Sequence, residues 1–582
     1  MVVDFENLTP YLSIVLLKIV DDSFNLNSLR NELTPTKKEF NIKEYDDDFI
    51  YYVNYQDKKR ASWTDDEKIQ DIKNQVLIIY RIDNYIALYH SDTTKKAKIY
   101  RLILHSPNKR EFKKIQLLNK ETLYTAFLKD VKVKNLWLKN VHDSSDMKAY
   151  SKILSGDNLE EALDPLGDQA YGFSAIKVKH EDGLSIGVNA SCSKIWMKNF
   201  SDNIIFFDEI KFILRKVQKI EDGNEELLHN PIDMLANSHT DISILGKMID
   251  ITLNFIEEID CDSEKDKFLS KVYDKWDTYI FEFNKVHDIY NVKILDNTKT
   301  ICHLSISFSV DNAFVNTNVI VSSEYENHKC FWDLFNNYNL NYFFLNSQTI
   351  MNRQIYKREF KDITFNNFQW LNFNTFDVSK EKPSKNDFSL IGNDDSLFSW
   401  IKKYWTGLDN DNLVNYEQDY VNGWLLCDDG AGEKADFIHI TDEDIPTISL
   451  IHAKGANSNG TSRRIAVTAY EVVVSQAVKN IKYLHKNSIS LTIENANRNV
   501  ENLVWHNGIQ SNRIEIKNYL ENLEQYNKRV VVLQPHVKKE KYVDINISES
   551  AKLQRNLLSN LLVSAQNTVH SVNAEFVVIG EC

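Results

Sequence analysis

WLLCDDGAGEKADFIHI, residues 424–440, decides the fold of this chain together with TISLIHAKGA at residues 447–456. Two apolar runs, WLLC and ADFIHI, flank the letters DDGAG, and Asp and Gly accept turn dihedrals that β-branched residues do not. The pattern predicts a β-hairpin followed by a third strand, TISLIHAK. Residues 467–484 then have apolar side chains at helical spacing, which predicts a helix.

Three polar residues stand where these strands should be apolar. Asp436 opens the second strand, and His452 and Lys454 end the third. Because side chains alternate along a strand, His452 and Lys454 are expected on one face, with Ala453 on the other. An acid on one strand, with a metal-compatible residue and a lysine on the next, predicts a cation site with a catalytic amine.

At these residues the chain resembles the PD-(D/E)XK nuclease superfamily, which has the restriction-endonuclease-like fold. The family pattern is an Asp on one strand, then Glu, Asp or Gln two residues before a Lys on the next strand, then a helix. Asp436 and Lys454 match this pattern, and His452 stands where the family usually has a carboxylate. Gln476 and Tyr483 match a helix Gln and a later Tyr of several branches. The series is also similar to nuclease domains of bacterial anti-phage defence proteins.

The resemblance implies metal-dependent hydrolysis of phosphodiester bonds, with Mg²⁺ or Mn²⁺ as the cofactor. Asp436 would bind the metal, and Lys454 would position or deprotonate the water and stabilise the developing negative charge. His452 would contribute an imidazole nitrogen or a backbone carbonyl, and Gln476 would complete the catalytic set. Histidine in place of a carboxylate predicts a preference for Mn²⁺ and an activity that falls as the ring protonates near a pKa of about 6.5.

Three acids are candidates for the carboxylate that His452 replaces. Glu433 is the first choice, because the hairpin turn places it near the end of the strand. Glu471 on the following helix is the second, and Glu417 on a preceding helical turn is the third. The predicted metal ligands are therefore Asp436, His452 and Glu433.

The formal net charge of −14 argues against a protein that binds nucleic acid over its whole surface, although a cleft needs only local positive potential. Arg463 and Arg464 are candidate contacts, because they lie in the loop directly after the third strand. Lys479 and Tyr483 on the predicted helix are further candidates. The expected substrate is nucleic acid, with DNA favoured over RNA.

At 582 residues the chain is too long for one ordinary domain core. Residues 1–220 predict a β-rich domain for recognition or partner docking, and residues 221–385 predict an α+β middle domain. Residues 390–582 predict an α/β nuclease sandwich with the order helix, three strands, helix, strand, helix, strand. The last boundary is placed at KEKPSKNDFS, residues 380–389, because this stretch is polar, contains a proline and has no periodicity.

Outside the motif, the pattern of apolar residues predicts two strands and two helices that can be compared with the structure. Apolar runs at residues 98–105 and 489–495 predict strands. Residues 242–260 and 264–286 predict helices.

Several function classes are disfavoured. The six cysteines occur singly, without the spacing of a zinc site. A GxxxxGK[ST] run is absent, so any ATPase or helicase activity would belong to a separate partner, such as another subunit of a defence operon. The N-terminal apolar run is too short to cross a bilayer and has no signal-peptide features, which predicts a cytoplasmic protein without a membrane partner.

A second function remains open beside the nuclease. The same fold can serve as a non-catalytic module that binds nucleic acid or mediates assembly after its active site has degenerated. The histidine at position 452 is the residue that keeps this alternative open. Self-association into a homo-oligomer is also left open by the sequence.

Overall fold

The computed structural model is a mixed α/β protein with several sheets. It divides into two compact units, the first formed by residues 1–163 and 167–360 and the second by residues 164–166 and 361–582. Among the described residues, none of the helices combines the length and the apolar character that crossing a membrane requires. The structure describes residues 5–8, 11–61, 63–64, 66–105, 110–141, 149–181, 183–199, 202–223, 225–253, 264–311, 314–337, 340–345, 347–358, 361–373, 375–406, 422–430, 433–494 and 499–582.

The first unit is rich in strands. Its helices are α1 (Asn27–Leu33), α2 (Thr93–His105), α3 (Lys120–Phe127), α4 (Leu159–Ala162), α5 (Asn203–Asp222), α6 (Glu264–Lys275) and α7 (His328–Asn337). Its strands are β1 (Tyr11–Ile19), β2 (Asn41–Tyr45), β3 (Asp48–Arg60), β4 (Gln70–Ile82), β5 (Tyr85–His90), β6 (Ile115–Leu117), β7 (Lys132–Asn140), β8 (Ser151–Ser155), β9 (Tyr171–Lys179), β10 (Ser185–Asn189), β11 (Lys194–Asn199), β12 (Asn237–His239), β13 (Met248–Leu253), β14 (Tyr279–Val286), β15 (Ile289–Asp296), β16 (Lys299–Asp311), β17 (Phe314–Val321), β18 (Leu340–Phe344), β19 (Gln348–Met351) and β20 (Gln354–Lys357).

These strands form three antiparallel sheets. The largest has 11 strands in the order β2-β3-β4-β5-β1-β11-β10-β9-β7-β8, with β6 paired to β1. The others are a five-stranded sheet, β12-β20-β19-β18-β13, and a four-stranded sheet, β14-β15-β16-β17. Helix α5 buries Phe206, Phe207, Ile210 and Ile213 in the core of the large sheet, at the spacing of one helical face. The β-rich character expected for the first 220 residues is thus present.

The four local predictions outside the motif are wrong wholly or in part. Residues 98–105 lie in α2, and residues 489–495 begin in a helix that ends at Glu494. The predicted helix at 242–260 contains β13, and its last residues fall outside the described part of the chain. The predicted helix at 264–286 ends at Lys275, and β14 follows. Short apolar runs fit strands and helices equally well, so the packing partner decides between them.

The second unit contains one sheet flanked by helices. Its helices are α8 (Leu397–Thr406), α9 (Thr468–Asn480), α10 (Lys486–Glu494), α11 (Arg513–Glu521), α12 (Lys539–Val543) and α13 (Glu549–His570). Its strands are β21 (Phe368–Leu371), β22 (Trp424–Cys427), β23 (Phe437–Ile440), β24 (Thr447–Ala453), β25 (Val504–His506), β26 (Ile509–Gln510), β27 (Asn527–Lys538) and β28 (Glu575–Glu581).

The sheet of the second unit is mixed. Its eight strands have the order β21-β28-β27-β24-β23-β22-β25-β26, parallel from β21 to β24 and antiparallel beyond. Alternate residues of β24 face opposite layers, because Leu450 packs in the core with α9 and α13 and Ile451 packs in the core with α8. The hairpin, third strand and helix that the opening stretch predicts are therefore confirmed as β22, β23, β24 and α9.

The unit boundary differs from the one that the sequence predicts. Residues 221–360 belong to the same unit as the N-terminal residues, and residues 380–389 lie inside the second unit. The N–H groups of Leu397 and Phe398 donate to the carbonyls of Lys380 and Glu381 (2.9 and 3.1 Å). The rest of this stretch forms turns and the short 3-10 segments Ser384–Asn386 and Phe388–Leu390, which are too short to produce a periodic pattern.

Candidate functional site

Three carboxylates come together between β22 and β23. Ligand oxygens of Asp429, Glu433 and Asp436 all lie within 4.8 Å of one another. Asp429 and Asp436 are buried, and Glu433 is half-buried. The hairpin causes this convergence, because Cys427 pairs with Phe437 and the three acids lie in the connection beyond that pair. We call these three residues the carboxylate triad.

Asp436 is tied to the end of β24. Its Oδ2 accepts the backbone N–H of Ala453 at 2.8 Å. Burial raises the pKa of Asp436 to about 8. The negative charges of Glu433, Asp429 and Glu381 contribute to this rise, and the hydrogen bond from Ala453 opposes it. A carboxyl with such a pKa is largely protonated at neutral pH unless a cation lies beside it.

The other two triad acids are fixed by different partners. Glu433 closes the loop on itself, because its Oε2 accepts the N–H of Gly430 at 2.9 Å and its own N–H donates to the Gly430 carbonyl at 3.1 Å. Burial raises the pKa of Glu433. Asp429 accepts a hydrogen bond from the ammonium of Lys382, with Nζ 2.7 Å from Oδ1.

Lys454 reaches the same end of the sheet through Glu381. Its Nζ lies 2.6 Å from Oε2 of Glu381, while Oε1 of Glu381 is 3.9 Å from Nζ of Lys382. The Lys454 N–H donates to the carbonyl of Leu533 on β27 at 2.9 Å, which continues the pairing of β24 with β27. The negative charge of Glu381 also acts on the Asp436 carboxyl. Asp436 and Lys454, the two residues that match the family pattern, therefore have Glu381 as a common neighbour.

Sequence reasoning missed Glu381, Lys382 and Asp429. The first two lie in the polar stretch that predicts a domain boundary, and Asp429 lies in letters that predict only a turn. A signal for Asp429 was available, because Asp429, Glu433 and Asp436 place three acids within eight residues of one hairpin. Contacts between Lys382 and Asp429, which are 47 residues apart, have no local signal.

A short segment, residues 378–382, brings Glu381 and Lys382 to the site. The N–H of Ala456 donates to the carbonyl of Val378 at 2.7 Å. A side chain at Gly455 would place its Cβ 2.8 Å from the carbonyl oxygen of Ser379 and 3.3 Å from the nitrogen of Glu381. Glycine at position 455 therefore permits this segment to lie against the end of β24.

His452 is not part of the triad, contrary to its predicted role as a metal ligand. It is 2% exposed, and its Nε2 has no hydrogen-bond partner among the described residues. Burial lowers the pKa of His452 to about 4, and the positive charge of Lys479 acts in the same direction. The lowered pKa argues against the expected loss of activity near pH 6.5, which assumes an imidazole of ordinary pKa.

The remaining predicted catalytic candidates are dispersed. Gln476 is half-buried on α9 and has no hydrogen-bond partner among the described residues. Glu471 is exposed on the same helix, which leaves Glu433 as the candidate acid that joins Asp436. Glu417, with the predicted helical turn at 414–420, lies outside the described residues.

The nucleic-acid candidates divide into one buried residue and three accessible ones. The Arg463 guanidinium is buried and donates to the carbonyls of Ser458, Gly460, Pro535 and His536 and to the carboxylate of Glu581. All five of its N–H groups are used, so the prediction that Arg463 contacts nucleic acid is corrected to a structural role. Arg464 and Lys479 are exposed, and half-buried Tyr483 lies under Nζ of Lys434 (4.4 Å to the ring centre).

The donor set of the triad fits a hard divalent cation. Carboxylate oxygens are the ligands that Mg²⁺ and Mn²⁺ prefer, and a cation would offset the repulsion among three clustered carboxylates, two of which are buried. A scan of the sequence against protein-family models gave no match, and a search of curated proteins gave none either. The case for this site therefore rests on its residues and their geometry.

Proposed function

We propose that the second unit is a metal-dependent nuclease domain of the PD-(D/E)XK class with a restriction-endonuclease-like fold. The observation that carries the proposal is that ion pairs through Glu381 and Lys382 link Lys454 to the carboxylate triad at one end of a mixed sheet. The order of elements supports it, since α8, three antiparallel strands and α9 precede the parallel strand β27, with α10, the short pair β25 and β26, and α11 inserted before β27.

Mg²⁺ or Mn²⁺ bound there would lower the pKa of a coordinated water and neutralise charge on the attacked phosphate. Asp429, Glu433 and Asp436 would hold the ion. Lys454 would orient the attacking water and stabilise the developing negative charge. Glu381 holds the Lys454 ammonium in place. The side chain of Glu381 is 20% exposed and that of Lys454 is 44% exposed, so the ammonium stays accessible from solvent.

The proposed substrate is DNA rather than RNA, with exposed Arg464 and Lys479 and half-buried Tyr483 as candidate contacts. The resemblance to defence nucleases extends the proposal to an effector of a bacterial anti-phage system, acting alone or with a separate ATPase subunit. Phage-plating efficiency in cells that express the wild type or Lys454→Ala tests this extension. Equal protection by the two proteins would contradict it.

Cleavage of labelled DNA and RNA with Mg²⁺, Mn²⁺ or EDTA tests the nuclease directly. We expect Lys454→Ala and Asp436→Asn each to reduce metal-dependent cleavage about a hundredfold or more, because each removes a group that acts on the reacting phosphate or on its ion. Asp436→Asn should also raise the unfolding temperature in EDTA, because a buried carboxyl of raised pKa must take up a proton when the chain folds at neutral pH, and the amide needs none.

Lys552→Ala and Asp444→Asn are matched controls, since both residues are exposed and outside the site. Neither control should change cleavage or the unfolding temperature. Undiminished cleavage by folded Lys454→Ala would remove the nuclease assignment of this site. Nucleic-acid binding without cleavage under any metal condition would instead favour the non-catalytic binding module.

A further inference from the structure

The ammonium of Lys382 lies at the edge of the carboxylate triad. Its Nζ is 2.7 Å from Oδ1 of Asp429, a triad oxygen donor residue, and 3.9 Å from Oε1 of Glu381. A second metal ion beside the triad would bind Asp429, which is a triad acid, and Glu381, which is not. Lys382 therefore stands where a second cation would otherwise lie.

The position of Lys382 is fixed by the backbone on both sides of the site. Glu381 accepts the N–H of Phe398 at the start of α8, and Val378 accepts the N–H of Ala456 after β24. The Lys382 side chain is 29% exposed, and its Nζ also lies 5.6 Å from the ring centre of Phe398. The ammonium is held by Asp429 at 2.7 Å, so the side chain places a positive charge at the edge of the triad.

The charges of the site balance with one divalent ion. Four carboxylates, those of Glu381 and the triad, face two ammonium groups, those of Lys382 and Lys454, which leaves a formal charge of −2. One divalent cation neutralises this charge, and a second would leave an excess of +2 in a partly buried cluster. Uncompensated charge in such surroundings is strongly unfavourable.

We propose that Lys382 is a tethered cation that takes the place of a second metal ion and so limits the site to one divalent ion. This inference rests on the proposed metal site and concerns a residue outside the family pattern. Lys382 is a positioning residue, because it holds Asp429 and excludes a second metal ion. Lys454 is the lysine that would act on the attacking water.

Binding of Mn²⁺ to the full chain tests the inference, with stoichiometry from calorimetry and the spin coupling of paired ions from electron paramagnetic resonance. We expect one Mn²⁺ per chain in the wild type. Lys382→Met should bind two with the signal of a coupled pair, because Oδ1 of Asp429 and Oε1 of Glu381 then no longer face the Lys382 ammonium, while Oε2 of Glu381 stays paired with Lys454. Lys382→Arg keeps the charge and should bind one.

Lys454→Met separates position from net charge. It removes the same charge as Lys382→Met, but the Lys454 Nζ pairs with Glu381 and not with a triad acid, so one Mn²⁺ should still bind. Two ions in the wild type, or one ion in folded Lys382→Met, would overturn the inference and leave the metal site standing. The proposed function would instead be overturned if the wild type bound no Mn²⁺, or if Asp436→Asn left its Mn²⁺ binding unchanged.

Discussion

Asp436 and His452 occupy neighbouring strand ends and respond to burial in opposite directions. Phe437 pairs with Ile451 in the sheet, so these two residues are the next pair outward. Burial raises the pKa of Asp436 to about 8 and lowers that of His452 to about 4. Both shifts favour the neutral form. A metal ion would restore the charge of Asp436, whereas the positive charge of Lys479 opposes protonation of His452.

At the residue scale we expect His452→Gln to retain cleavage and to leave the preference between Mg²⁺ and Mn²⁺ unchanged within about twofold, since the imidazole is not a triad ligand. The variant should also alter stability in acid. Because His452 has a lowered pKa in the folded protein, the free energy of unfolding is unaffected by this residue's titration above about pH 6.5. It decreases as the pH falls from there towards 4, since the unfolded chain binds the proton first.

Denaturant unfolding at pH 7 and pH 5 measures this effect. The wild type should lose about 2 kcal/mol more than His452→Gln between these pH values. Other buried histidines, such as His439, are common to both proteins and cancel in the comparison. A strong shift of metal preference in His452→Gln would return His452 to the metal site and contradict its placement here.

At the element scale, the site depends on a close approach of two backbones. The 378–382 segment carries Glu381 and Lys382, and it lies directly against Gly455, the residue after Lys454. Helix α8 holds the segment from the other side through the N–H groups of its first turn. Gly455 and the N-terminus of α8 therefore position both ion pairs of the site, Lys454 with Glu381 and Lys382 with Asp429.

We expect Gly455→Ala to push the 378–382 segment away, because its Cβ would lie 2.8 Å from the Ser379 carbonyl oxygen. Overpacking of this kind costs about 1–3 kcal/mol, and the displaced Glu381 would release Lys454, so cleavage should fall at least about tenfold. Gly460→Ala is the matched control, because its Cβ would meet nothing nearer than Ser458 Oγ at 3.7 Å. Equal cleavage by the two variants would show that the segment does not support the site.

At the scale of the whole molecule, the candidate site lies entirely within the second unit. Every residue of the triad, both lysines and Glu381 fall in residues 361–582. The first unit, residues 1–163 and 167–360, has its own hydrophobic clusters and its own three sheets. The unit that contains the candidate site therefore starts before the stretch that the sequence predicts as a boundary.

Two fragments distinguish these boundaries. We expect a fragment of residues 361–582 to unfold cooperatively and to cleave nucleic acid, because it contains the complete sheet and site. A fragment of residues 390–582 lacks Glu381, Lys382 and strand β21, which pairs with β28, so it should be inactive and less stable. Circular dichroism melts and the cleavage assay compare them. Equal activity of the two fragments would contradict the role of residues 378–382.

The sequence by itself determined the local parts of this protein. The hairpin, the third strand and α9 follow from turn residues and from periods of two and 3.6, which act over a few neighbours. Asp436 and Glu433 meet for the same reason, since one hairpin connection carries both. Lys454 at the end of β24 is likewise a consequence of position along a strand.

Only the tertiary structure decided which other groups surround those residues. Lys382 and Glu381 reach the site across 47 and 74 residues of sequence, through a backbone contact at Gly455 that no periodic pattern announces. The burial that makes His452 neutral, and that occupies Arg463 with carbonyls, arises from residues distant in the chain. Local propensity is set by adjacent residues, whereas desolvation and ion pairing depend on every segment that packs nearby.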